Sequence, residues 1–156
     1  MTADASVSLV GPAAGEKIQL GPITMRIVED GSTTGHRLGI GEITIPPGTE
    51  GPPQHRHAAH DEGFYVVSGT ATFTVGEQVY DAPAGTLVMV PPGAPHTFAN
   101  RGGEPAVILN TFTPDLYVAY FRDMGEYFAS GQPFDPAANA AIMRRYGTEP
   151  ATDYAR

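Results

Sequence analysis

Apolar residues along this chain come in short runs, broken at close intervals by glycine and proline. The runs rich in β-branched and aromatic residues are 24–29, 38–45, 64–67, 71–75, 87–90, 96–99 and 106–112. Ala71-Thr72-Phe73-Thr74-Val75 alternates small or polar with apolar, the period-two signature of a half-buried strand. Pro46-Pro47-Gly48, Gly51-Pro52-Pro53, Ala82-Pro83-Ala84-Gly85 and Pro91-Pro92-Gly93 read as turns. Many short strands at this spacing predict an all-β sandwich or barrel. After Thr113 the period changes. Leu116, Tyr117, Tyr120, Phe121, Met124, Tyr127 and Phe128 recur at spacings of three and four, which predicts an amphipathic helix ending at Gly131. Gly125 weakens that helix slightly. Asp135-Pro136 reads as an N-cap with proline at the first helical position, opening a second helix over 137–146 that Gly147 closes. The expected organisation is one domain: strands or an arm over 1–35, a barrel over 36–113, and helices over 114–156 packed on it.

Composition narrows the chemistry. The 156 residues include no cysteine, so disulfides, thiolate metal sites, iron–sulfur clusters and a cysteine nucleophile are excluded. Any metal must sit on nitrogen and oxygen. A net charge of −8 repels nucleic acid and anionic membranes, and no DNA-binding module is legible. The first ten residues lack the basic and apolar stretches of a signal peptide, and no apolar run reaches the roughly 20 residues of a membrane span. The expectation is a cytoplasmic protein with a small-molecule substrate and neither nucleic-acid nor membrane partners.

Four of the five histidines and one glutamate, Glu62, lie inside two short segments. His55 and His57 are one residue apart, so on a strand both imidazoles point to one face. Glu62 follows five residues after His57, which on an unbroken strand is the opposite face. An irregularity around 58–61 must bring it back, after which Phe64 and Val66 share its face. His96 opens a strand just after a proline–glycine turn. Three neutral imidazoles and one carboxylate suit a borderline divalent ion: Fe, Mn, Ni, Co, Cu or Zn. Four protein ligands leave about two positions of an octahedral ion open to substrate. Arg56, between two inward histidines, should point outward, and so should Tyr65. His60 fits no ligand position and is expected on a surface loop. His36 heads a strand and is expected to be unrelated to the site.

These two segments resemble the paired motifs of the cupin superfamily. His55, His57, Glu62 and Gly69 match the first motif, with Gly48 or Gly51 at its less regular start; Gly85, Pro91, Gly93, His96 and Asn100 match the second. The resemblance implies a double-stranded β-helix, or jelly roll, of six to eight strands, with the metal held inside by His55, His57, Glu62 and His96. It implies a homodimer as a common assembly. Phe64, Val66, Met89 and Phe98 should line the barrel. Some cupins close the barrel mouth with a C-terminal helix, which makes Tyr117, Tyr120 and Phe121 candidate pocket walls. Among cupins the chain is read as similar to quercetin dioxygenase-like proteins. That implies a metal-dependent oxidoreductase, a dioxygenase acting on an aromatic or enolisable small molecule, with Glu62 as ligand and general base. The same ligands would serve a non-redox isomerase, lyase or cyclase, and a non-enzymatic ligand-binding cupin is the third alternative.

Overall fold

The computed structural model describes residues 6–154. In chain order the elements are β1 (Glu16–Leu20), β2 (Ile23–Glu29), β3 (Gly39–Ile45), β4 (Thr49–Glu50), β5 (His55–His57), β6 (Asp61–Ser68) and β7 (Thr70–Val75). They continue with β8 (Gln78–Pro83), β9 (Leu87–Val90), β10 (Thr97–Asn100), β11 (Ala106–Thr113), α1 (Leu116–Ala129), α2 (Pro136–Arg145) and β12 (Thr148–Pro150). Six strands form one antiparallel sheet in the order β1-β2-β3-β11-β6-β9, and four form a second in the order β4-β10-β7-β8. β5 pairs with β12 in a separate two-stranded ladder. The jelly-roll architecture is thus present with more strands than expected, because β1, β4, β8 and β12 carry too little apolar pattern to stand out.

Strand alternation puts the core between the two sheets. β3 and β11 alternate buried with half-buried along nearly their whole length. Met25, Ile43, Phe64, Val66, Ile108 and Phe112 from the larger sheet meet Ala71, Phe73 and Ala82 from the smaller. Each of the large side chains is essentially fully buried, a contribution of about 1.5–3 kcal/mol apiece against exposure. β1 and β2 share the larger sheet with β3, so residues 16–29 join the barrel wall.

The turn after β6 shows why glycine is needed there. Gly69 has φ +73°, and a Cβ would sit 2.3 Å from the Pro105 carbonyl oxygen. Asn100 ends β10 with its side chain buried. Its Nδ2 donates to Ile45 O at 3.0 Å and Glu104 O at 2.7 Å, and its Oδ1 accepts from Gly102 N at 3.0 Å. Asn100→Ala strips partners from buried backbone groups. It should lower the unfolding free energy by about 3 kcal/mol, read from denaturant midpoints at an unchanged slope.

α1 lies against β1, β11 and β3. It buries Tyr117, Val118, Tyr120, Phe121 and Met124 on one stripe. Gly125 is less a weakness than a contact point: a Cβ there would come within 2.5 Å of Ile18 Cγ2. The α1 N-cap Asp115 spends its carboxylate on His36, whose Nδ1 donates to Oδ2 at 2.7 Å. This hydrogen bond and the charge of Asp115 raise the His36 pKa above its ordinary 6.5. The pair therefore stabilises the fold fully below that ordinary value, and its contribution disappears as pH rises through the raised one. In Asp115→Asn the His36 pKa should drop back towards 6.5, followed by NMR titration of its ring protons; an unchanged pKa would remove the pairing. α2 begins as expected, with Asp135 Oδ1 accepting from Ala137 N at 3.0 Å and Pro136 at the first turn.

Candidate metal centre

β5 is only three residues long, yet it sets the site. Its burial alternates, so His55 and His57 point inward. Arg56 points away and pairs with Asp153 at 3.0 Å. The chain then leaves strand geometry over residues 58–60 and re-enters at Asp61. This break corrects the parity, and Glu62 emerges buried beside Phe64. His96 reaches the same place from the other side. Its backbone exchanges two hydrogen bonds with His55, at 3.0 and 3.1 Å, while Gly93 N donates to His57 O at 2.7 Å.

The ligand atoms of His55, His57, Glu62 and His96 all lie within 4.8 Å of one another, and all four residues are buried. Glu62 Oε2 is 2.7 Å from His57 Nε2 and 3.0 Å from His96 Nε2. The two Nε2 atoms are 3.2 Å apart. Each Nδ1 has an acceptor of its own: Pro53 O at 2.8 Å for His55, Thr148 Oγ1 at 2.9 Å for His57, and Ala94 O at 3.0 Å for His96. A carbonyl only accepts, so His55 and His96 carry their proton on Nδ1 and turn an Nε2 lone pair to the centre. Burial, then the neighbouring His96 and His57, pushes the His55 pKa down to about 3, leaving it neutral near pH 7. Burial alone would raise Glu62, but its contacts with His57 and His96 outweigh this and hold the carboxyl below the ordinary range. Converging nitrogen lone pairs and a carboxylate at these distances attract only with positive charge between them, either a proton or a metal ion. The donor set therefore fits a divalent cation.

Around this centre lie three residues that the sequence reading did not assign to it. Asn110 is fully buried on β11; its Nδ2 donates to Glu62 Oε1 at 3.2 Å and to Gly63 O at 2.9 Å. It was detectable in principle, as a polar residue in phase with the inward Ile108 and Phe112. Thr148 gave no such signal. His60 is a correction: it is not on a surface loop but 2% exposed, with its ring 4.3 Å from that of His57 and 4.9 Å from that of Tyr117. Neither of its ring nitrogens has a hydrogen-bond partner among the described residues, and burial pushes its pKa down to about 4. Its ring is packed between His57 of β5, Tyr117 of α1 and Phe112 of β11.

A cavity of about 310 Å³ opens onto the centre. His55 and Glu62 form part of its wall, with Phe64, Phe98, Tyr117, Tyr120 and Phe121. Two expected wall residues are elsewhere. Val66 is in the core between the sheets and does not line the cavity, and Met89 is 55% exposed on the outer face of β9. β2, β3 and α2 supply walls that the sequence did not suggest, namely Met25, Ile43 and Asn139. Among the described residues, no lysine or arginine lines the cavity.

Residues 41–112 match the family described as the cupin domain. An uncharacterised protein of Streptomyces coelicolor is 35% identical over 77 residues, 49% of this chain and 70% of that one. Among solved structures, a putative sugar phosphate isomerase from Acidithiobacillus ferrooxidans superimposes with a TM-score of 0.51 at 32% identity. That match covers 58% of this chain and 59% of the isomerase, so it falls short of two thirds of the other protein. Bacillus subtilis oxalate decarboxylase, described with Mn(II) centres, gives a TM-score of 0.56 at 26% identity over 64% of this chain and 28% of that one.

Proposed function

The chain belongs to the cupin family, and from that premise we propose that it is a metal-dependent dioxygenase acting on a neutral aromatic or enolisable small molecule. One observation carries the reading: the four-residue cluster meets, through His55 and Glu62, a cavity walled mainly by aromatic and aliphatic side chains. A sugar phosphate or a small dianion such as oxalate would bring negative charge to a lining in which none of the described residues is lysine or arginine, and burying an unpaired charge is costly. A flat, neutral ring system with an enol or phenol oxygen suits the same lining.

His55, His57, Glu62 and His96 would hold the ion. When bound, such an ion acts as a Lewis acid and, if redox-active, couples the electrons of substrate and dioxygen. The protein's own part is to bind, orient and take a proton. Phe64, Phe98 and Phe121 hold the ring and keep water out. Asn110 steadies Glu62 Oε1, which leaves Oε2 on the side of the histidines to accept the proton of the substrate hydroxyl. Both atoms of dioxygen would then enter the product.

A second reading, a non-redox isomerase, lyase or cyclase, draws support from the resemblance to the putative sugar phosphate isomerase. Here Glu62 would take and return a proton on the substrate without oxygen consumption. The deciding experiment is elemental analysis of protein purified without a metal-affinity tag, together with oxygen uptake on flavonols and β-diketones. Stoichiometric redox-active metal with substrate-dependent uptake is the expected result. Metal with turnover but no uptake would hand the site to the second reading. Failure to bind metal after reconstitution would remove both.

A further inference from the structure

The three histidines of the centre differ in where their Nδ1 acceptors come from. Pro53 O and Ala94 O lie two residues before His55 and His96, so those contacts are local. The acceptor for His57 lies 91 residues along the chain, on β12. Thr148 is 2% exposed, and its hydroxyl donates to Tyr146 O at 3.3 Å. That donation turns an Oγ1 lone pair towards His57 and fixes the tautomer with Nε2 free. Backbone pairing holds Thr148 there. β12 runs antiparallel to β5 with Thr148 opposite His57 and Pro150 opposite His55. Ala58 N donates to Gly147 O and Ala151 N to Gln54 O, both at 2.8 Å. The Arg56–Asp153 pair closes the outer side of the ladder.

We propose that Thr148 is a positioning residue of the metal centre, and that through it the docking of residues 147–151 and metal binding by His57 form one coupled equilibrium. The inference rests on the metal-site reading above. An imidazole has two neutral tautomers, and only the one protonated at Nδ1 offers Nε2 to a cation. With residues 147–151 in place that tautomer has a buried partner; with them undocked, His57 loses the acceptor and part of its wall. Linkage makes the effect reciprocal: whatever docking adds to metal affinity, bound metal adds to docking. The device also reaches the cavity, because β12 follows directly on α2, which contributes Asn139 to the cavity wall and packs against α1. A C-terminal tail that reads as an appendage thus becomes part of the metal-binding unit.

The test uses the whole chain and Co²⁺ as probe, with binding followed by visible absorption and unfolding midpoints recorded on metal-free protein. Thr148→Val keeps the shape and removes the acceptor; its Co²⁺ affinity should fall by about 10–100-fold. Thr148→Ser restores the hydroxyl and should bind within about threefold of wild type, a rescue that a purely packing role would not give. In wild type, bound Co²⁺ should slow hydrogen exchange at the Ala58 and Ala151 amides by about tenfold or more. Thr148→Val binding like wild type, or exchange at both amides indifferent to Co²⁺, would overturn the proposal. If Thr148→Val does not fold, the exchange measurement on wild type decides alone. If wild type binds no Co²⁺, the metal reading falls and takes this proposal with it; that outcome differs from one in which wild type binds and the variant equals it.

Discussion

Glu62→Gln should fold, retain part of its metal and lose turnover per bound ion by about 10²–10⁴-fold. The substitution preserves size, so Phe64 and Asn110 keep their neighbour, and the amide oxygen can still accept from Asn110 Nδ2 as Oε1 does at 3.2 Å. What changes sits at Oε2, 2.7 Å from His57 Nε2 and 3.0 Å from His96 Nε2. An amide there brings no negative charge to a cation and cannot take a proton. Weaker metal binding and lost basicity must be separated, which is why turnover is normalised to metal content measured on the same sample. Oxygen uptake, or product formation in a non-redox reaction, gives the rate. A variant that turned over at the wild-type rate per ion would confine Glu62 to the role of ligand. One that lost metal and activity in strict proportion would leave the base without support.

The candidate metal-binding cluster of His55, His57, Glu62 and His96 was legible because its signal is local. A histidine pair two apart on a strand, and a histidine after a proline–glycine turn, carry their geometry in a few residues. Glu62 was legible only through its fixed distance to Gly69, since strand parity alone put it on the wrong face. The break at 58–60 that corrects the parity also carries His60, which fits no ligand position and was expected on a surface loop for that reason. Met89 failed for a different reason. Leu87-Val88-Met89-Val90 is apolar throughout, so alternation has no phase to read. Pairing with β6 supplies it: Val90 lies opposite Glu62 and Val88 opposite Phe64, both inward, which leaves Leu87 and Met89 outside. Thr148 and Asn110 act on the centre from 91 and 48 residues away, distances at which no spacing rule applies. The hidden part of the site is therefore the part built by strand pairing. It includes the walls from β2 and β3, whose Met25 and Ile43 sit in ordinary core alternation and also line the cavity.

The largest effect on metal binding is expected from His57→Ala. Structural zinc sites bind with roughly 10–16 kcal/mol shared among four ligands, so one ligand is worth about 3 kcal/mol, or about 100-fold in affinity. The same substitution should also destabilise the metal-free protein. The His57 ring packs edge-on against Tyr117 at 4.5 Å and tilted over His60 at 4.3 Å, so its removal opens a void costing about 2–4 kcal/mol. Thr148 Oγ1 loses its donor as well. A drop in melting temperature would therefore prove nothing about metal. The discriminating quantity is the shift in melting temperature when metal is added. At a free concentration of about 100 times the wild-type dissociation constant, binding to the native state adds about 2.7 kcal/mol, a shift of about 5–10 °C for a domain of this size. A variant that binds about 100-fold more weakly gains only about 0.4 kcal/mol under the same conditions, a shift of about 1 °C. A low starting midpoint with that small shift is the expected pair of results. A low midpoint with the full shift would mean that His57 is a packing residue beside the ion, and would remove the basis for assigning Thr148 to the centre.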